Sequence, residues 1–78
     1  MGSAVYRLAN EDISDVVSSV EELMDKFRHG LPKDTQIEGR DHIRVGSLEL
    51  PRYIHLKNPK RELKLPKTKV DGLYRLNK

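Results

Sequence analysis

The sequence contains no cysteine. A disulfide framework and a thiolate metal site are therefore excluded, and this composition fits a protein of the cytoplasm or nucleus. No apolar run approaches the length of a membrane span or of a signal-peptide core. The sequence therefore predicts no membrane partner.

The familiar catalytic motifs are also missing. The chain has no glycine-rich phosphate loop, no nucleophile elbow and no HExxH motif. Neither His42 nor His55 has a second metal ligand at a usual spacing. Glu21 and Glu22 fall on the polar face of a predicted helix, where a raised carboxylate pKa is not expected. We therefore predict that the protein is not an enzyme and uses no cofactor, metal ion or small-molecule substrate.

A length of 78 residues predicts one domain. At this size a single core gives only a few kcal/mol of net stability. Residues 1–3 are typical of an expression-vector remnant, so we leave them out of the fold argument. Residues 4–66 are expected to form one α+β domain, and residues 67–78 a basic C-terminal strand or tail.

Charge is divided unevenly along the chain. Residues 1–51 hold six Lys/Arg and ten Asp/Glu, a balance of −4, whereas residues 52–78 hold nine and two, a balance of +7. The basic C-terminal half predicts an acidic partner, either a nucleic acid or an acidic protein surface. The alternative interpretation is a solvated, lysine-rich surface that keeps a small protein soluble.

The longest regular pattern predicts an amphipathic helix over residues 10–30. Asn10 suits the N-cap, and Gly30 followed by Pro32 suits the C-terminal stop. The apolar face of such a helix, here called the helix stripe, forms the intrachain core or extends into a dimer interface. The apolar residues that recur at helical spacing are Ile13, Val16, Val17, Val20, Leu23, Met24 and Phe27.

Residues 42–50 alternate with period two and predict a β-hairpin. Gly46 and Ser47 suit a type II′ turn between the two strands. A two-residue loop places apolar residues opposite apolar residues, and opposite charges opposite each other. The predicted cross-strand pairs are Val45 with Leu48, Arg44 with Glu49, and Ile43 with Leu50.

The flanking segments give shorter signals. Residues 4–8 are compatible with a strand. Ile37 is one apolar residue in a polar connection and predicts a short strand or a plug. Pro51 predicts an edge position or a bulge, and Asn58-Pro59 a turn. Residues 63–65 alternate again and predict a strand of a second hairpin.

These elements predict an α+β fold in which one amphipathic helix packs on a small three- to four-stranded antiparallel sheet. The register of the second hairpin stays open, with Leu63 opposite either Ile54 or Leu56. One helix covers one sheet face, so the other face is left to solvent, a partner or a second copy. The predicted core comprises the helix stripe with Ile43, Val45, Leu48, Leu50, Ile54, Leu56, Leu63 and Leu65.

The uncovered face holds the candidate site. Tyr53 and His55 are expected there among cations, where cations bind phosphates and aromatic rings stack on unpaired bases. A single tyrosine differs from the paired aromatics of an RNA-recognition sheet. The predicted nucleic-acid-binding residues are Arg44, Arg52, Tyr53, His55, Lys57, Lys60, Arg61, Lys64, Lys67 and Lys69.

The predicted function is a small, basic, non-catalytic module that binds DNA or RNA through its C-terminal half. The alternative is a protein–protein interaction or homodimerisation module that uses the uncovered sheet face, or the sheet edge near Pro51.

Overall fold

The computed structural model describes residues 2–10, 13, 17–65, 68–70 and 72–77. In this part of the chain the elements are β1 (Gly2–Leu8), α1 (Val20–Arg28), β2 (Gln36–Val45), β3 (Leu48–Asn58), β4 (Thr68–Lys69) and β5 (Tyr74–Asn77). The strands form one sheet in the order β2-β3-β1-β5-β4, and every neighbouring pair is antiparallel. The predicted α+β class is confirmed, since one helix packs on an antiparallel sheet of four longer strands that the two-residue β4 extends at one edge.

The predicted first hairpin is confirmed in its register. Val45 pairs with Leu48, Arg44 with Glu49, and Ile43 with Leu50. Gly46 has a φ of 62°, the left-handed value that the first central residue of a type II′ turn requires.

β2 is longer than the sequence predicted. The strand begins at Gln36, and Ile37 pairs with Leu56 on β3. Of the two alternatives predicted for Ile37, the strand is therefore correct, and this strand continues through the polar residues that precede the hairpin.

Pro51 lies where β3 has a neighbour on one side only. The pairing of β1 with β3 ends at Arg7 and Tyr53. Pro51 is therefore opposite His42 of β2, and no strand of the described residues pairs with it on the other side. Its carbonyl oxygen accepts a hydrogen bond from the Tyr74 hydroxyl. This pairing confirms the predicted edge position. Proline is tolerated there because no neighbouring strand needs its missing N–H as a hydrogen-bond donor.

The predicted second hairpin is wrong. Residues 59–65 form no strand, and the neighbour of β3 at this end is β1, in which Gly2 pairs with Asn58. Gly2 and Ser3, which we had left out of the fold argument, are thus the first two residues of β1. Because β1 occupies this side of β3, the chain after Asn58 cannot pair with β3 there, and it joins the sheet only later, as β4 and β5.

Asn58 turns the chain away from the sheet, as the Asn-Pro pair predicted. Its side chain is fully buried, and its Oδ1 accepts hydrogen bonds from the backbone N–H groups of Lys60 and Arg61, both at 2.9 Å. Its Nδ2 donates to Asp34 Oδ1 at 2.9 Å and to Thr35 Oγ1 at 3.2 Å. The bond from Asn58 is the main reason that the pKa of Asp34 is lowered.

The predicted helix over residues 10–30 is not continuous, because residues 17–19 are not helical. α1 begins at Val20 after the N-cap Ser19, whose Oγ accepts a hydrogen bond from the Glu22 N–H at 3.1 Å. The Glu22 carboxylate in turn accepts from the Ser18 N–H at 2.9 Å and the Ser18 hydroxyl at 2.7 Å, which lowers the pKa of Glu22. The helix ends before Gly30 as predicted. Residues 11, 12 and 14–16 of the predicted helix lie outside the described residues.

The core lies between α1 and one face of the sheet. Predicted residues such as Leu23, Phe27 and Ile54 are fully buried, whereas Leu63 and Leu65 pack only at its margin. The sequence analysis missed the contribution of β1 and of the segment leading into β5. The buried apolar residues are Tyr6, Leu8, Ile13, Val17, Leu23, Phe27, Leu50, Ile54, Leu56, Leu73 and Tyr74.

Candidate nucleic-acid interface

The sheet face turned away from α1, which we call the outer face, is set by strand alternation. Tyr6 and Leu8 are buried under the helix, so Arg7 between them lies on the outer face. Ile54 and Leu56 are buried in the same way, which places Tyr53, His55 and Lys57 on the outer face. The alternation that builds the core therefore also collects the polar residues of four strands on one surface.

One row of cross-strand neighbours on this face is unusually rich in arginine. Arg40 of β2 lies opposite Tyr53 of β3, Tyr53 lies opposite Arg7 of β1, and Arg7 lies opposite Arg75 of β5. We call these four residues the arginine–tyrosine row. Neighbouring strands are about 4.8 Å apart, so the row places three guanidinium groups and one phenol ring across the width of the sheet.

The charges of this row are compensated unequally. Arg40 Nε donates to Glu38 Oε1 at 3.0 Å, and both side chains are more than half exposed. In the described part of the chain no carboxylate lies within ion-pair distance of Arg7 or Arg75. Like charges that face each other directly across two strands destabilise a sheet. An anion bound between Arg7 and Arg75 would offset this repulsion.

The residues that precede Arg7 and Arg75 are packed in the core. Tyr6 and Tyr74, which precede Arg7 and Arg75 in sequence, point to the opposite sheet face and are fully buried. Both rings meet Phe27 of α1 edge to face, with centroids 5.4 and 5.1 Å apart. Such contacts add to the burial energy of the rings and fix the backbone that carries both arginines.

Two shallow depressions adjoin the row, and His55 lines both. One has a volume of about 240 Å³ and lies between β1, β3 and the first half of β2. The other has a volume of about 490 Å³ and reaches Tyr53, Asp41 and Asn77. The second depression therefore lies beside Tyr53, whose ring offers a base a stacking surface.

Of the residues predicted for the site, the outer face brings together Tyr53, His55 and Lys57. Arg44 lies at the hairpin end of β2, opposite Glu49. Arg52 is half-buried beside Pro51. These two residues are separate from the arginine–tyrosine row.

The remaining predicted cations lie elsewhere. Lys60 and Arg61 are exposed in the turn after β3, and Arg61 Nε is 3.9 Å from Asp34 Oδ2. Lys64 is exposed in the irregular segment that follows and is not in the sheet, contrary to the prediction. Lys69 belongs to β4 at the far sheet edge, and Lys67 lies outside the described residues. The basic stretch is thus a property of the sequence more than of one surface.

Sequence reasoning missed Arg7, Arg40 and Arg75. A usable signal existed for two of them, because residues 5–8 and 73–76 read VYRL and LYRL. In the sheet the two segments are neighbours with Arg7 opposite Arg75, so each arginine is the outward residue between two inward apolar ones.

The described residues contain no group of three His, Asp or Glu side chains able to hold a metal ion. None of their helices is long and apolar enough to cross a membrane. No protein-family model matches this chain, and comparisons with curated proteins and with solved structures find no similar protein.

Proposed function

We propose that this protein is a small, non-catalytic module that binds nucleic acid through the outer face of its sheet. The arginine–tyrosine row is the observation that carries this proposal. Cations hold phosphates without regard to sequence, and an aromatic ring among them offers a base a stacking surface. A nucleic-acid partner accords with a location in the cytoplasm or nucleus.

The charge of the outer face supports this choice of partner. Its cations Arg7, Arg40, Lys57 and Arg75 outnumber the carboxylates that adjoin them, Glu38 and Asp41. The proposed interface differs from the sequence-based one, because it combines residues of both chain halves. Few groups on the face are placed to read base edges, so we expect low sequence specificity.

The proposal is tested with fluorescently labelled twelve-residue oligonucleotides at low salt. Two double variants remove the same charge: Arg40→Gln with Lys57→Gln on the outer face, and Lys60→Gln with Lys64→Gln outside it. Loss of two phosphate contacts weakens binding about tenfold, and we expect this loss only for the outer-face variant. Equal weakening by both variants, or no binding by the unmodified protein at tens of micromolar, would refute the proposal.

The free edge of β2 favours a second candidate, docking of another strand. In the described structure this ten-residue strand pairs only with β3. An unpaired edge can accept a strand from another protein or from a second copy. However, Asp41 has a φ of 56°, which interrupts the extended backbone midway along the edge. Sedimentation at several concentrations without nucleic acid tests self-association, and a strict monomer would exclude the homodimer.

A further inference from the structure

Arg7 and Arg75 face each other on the outer face with no carboxylate of the described chain within reach. We propose that these two arginines hold one phosphate of an unpaired nucleic-acid strand between them, while the adjacent base stacks on Tyr53. The inference rests on the proposed function and specifies the form of the ligand.

The spacing of the pair suits one shared anion. Residues directly opposite each other on neighbouring strands have Cβ atoms about 5 Å apart. Two guanidinium groups projecting from there repel each other unless an anion lies between them. For Arg40 the Glu38 carboxylate takes that role at 3.0 Å, whereas Arg7 and Arg75 lack such a partner. A phosphate offers acceptor oxygens to both donor sets at once.

Core packing beside the pair favours a backbone that is already in place before the phosphate binds. Tyr6 and Tyr74 hold the backbone on either side of the arginine pair against Phe27. Little conformational freedom of the backbone is lost when the phosphate binds, which is the condition under which two charge-assisted contacts add affinity.

The position of Tyr53 points to an unpaired strand. The midpoint between Arg7 and Arg75 is one and a half strand spacings from Tyr53, or roughly 7 Å, a span that the sugar between a phosphate and its base can bridge. Arg40 lies on the other side of Tyr53 and reaches the next phosphate. A base stacks on a side chain only when its face is accessible, and in a duplex the neighbouring base pairs cover that face.

The salt dependence of binding tests the shared phosphate. For single strands the logarithm of affinity falls with the logarithm of salt concentration by about 0.7 for each neutralised phosphate. If Arg7 and Arg75 share one phosphate, the double variant Arg7→Gln/Arg75→Gln lowers this slope by about 0.7. If each holds its own phosphate, the loss is about 1.4, and each single variant already loses about 0.7.

The same measurement has an internal control and a folding control. Arg44→Gln removes an arginine opposite Glu49 at the hairpin end and should leave the slope unchanged. The double variant relieves a like-charge contact, so its thermal midpoint should not fall in the absence of ligand. If the double variant fails to fold, Arg75→Gln alone distinguishes one shared phosphate from two separate ones. A shared phosphate still binds Arg7 in that variant, so most of the salt-dependence slope is retained.

Base stacking is tested at Tyr53 with four twelve-residue ligands: an unpaired DNA strand, an unpaired RNA strand, an abasic strand and a duplex. Tyr53→Leu should weaken binding of both unpaired strands at least fivefold, whereas Tyr53→Phe should not. The abasic strand should bind the unmodified protein more weakly and be insensitive to Tyr53→Leu. Comparison of the affinities for the unpaired DNA strand and the unpaired RNA strand shows whether the protein prefers deoxyribose or ribose.

The results separate this inference from the proposed function. A slope loss of about 1.4 overturns the shared phosphate. A duplex bound as tightly as the unpaired strands overturns the preference for an unpaired strand. In both cases nucleic-acid binding by the outer face stands. If no nucleic acid binds but an acidic peptide does, both the inference and the proposed function are wrong.

Discussion

Leu23 is the residue at which the helix–sheet contact can be tested most directly. It is fully buried, so Leu23→Ala leaves a cavity and should cost about 2–5 kcal/mol of unfolding free energy. The whole stability of so small a domain is on the order of 5 kcal/mol, so the variant should retain at most about 3 kcal/mol of it. Thermal and urea unfolding of the purified variant measure the loss.

The matched control for this substitution is Glu21→Ala. Glu21 is exposed, and its replacement should change stability by about 0.5 kcal/mol at most. Glu22 is unsuitable, because its carboxylate accepts two hydrogen bonds from Ser18. If Glu21→Ala destabilises the protein as much as Leu23→Ala, the burial of this helix face is wrong.

At single residues the sequence predicted burial better than it predicted the site. Strict alternation around the hairpin identified both the buried Ile54 and the outward Tyr53 and His55. The sequence could not predict that Arg7 lies opposite Arg75. The two strands are short and distant in the chain, and the local sequence of neither strand specifies its partner. Only the repeated Tyr-Arg-Leu indicated it.

At the scale of the elements, the start of α1 yields a testable prediction. Ser19→Ala removes the oxygen that accepts from the Glu22 N–H and should cost about 1 kcal/mol. The variant should also lose circular-dichroism signal from the helix earlier in a thermal melt. Ser47→Ala, in the exposed hairpin turn, makes the same chemical change without a cap. Equal losses in the two variants would contradict a capping role for Ser19.

The elements differ in how well the sequence predicted them, and the reason is local information. The hairpin of β2 and β3 has both its turn and its register in consecutive residues, so it was predicted correctly. The N-cap at Ser19 was not predicted, because Asn10 and Ser19 are both good N-caps and the apolar spacing continues past Ser19. The strand at residues 63–65 was wrong because β1 competes for the same edge of β3.

For the whole molecule, two buried tyrosines predict sensitivity to alkali. Burial raises the pKa of both Tyr6 and Tyr74 above the ordinary value of 10.0. The folded state therefore retains protons that the unfolded state loses, so this contribution to stability is complete below pH 10 and declines as the pH rises above it. Urea unfolding between pH 8 and pH 11 should show a falling midpoint.

Tyr74→Phe provides the control for this pH dependence. Phenylalanine has no proton to lose, so the variant should be less stable at neutral pH, where it lacks the bond to the Pro51 carbonyl oxygen, yet less sensitive to alkali. An unchanged alkaline decline in Tyr74→Phe would show that other groups cause it.

The place of β1 between β3 and β5 has a consequence for the order of assembly. Among the described elements β1 is translated before all others and β5 after all others, and yet the two strands are direct neighbours. The β2–β3 hairpin can form from local contacts, whereas the pairing of β1 with β5 must close a loop containing almost the entire described chain. During translation, part of the apolar surface of Tyr6 and Leu8 therefore remains exposed until residues 73–77 leave the ribosome.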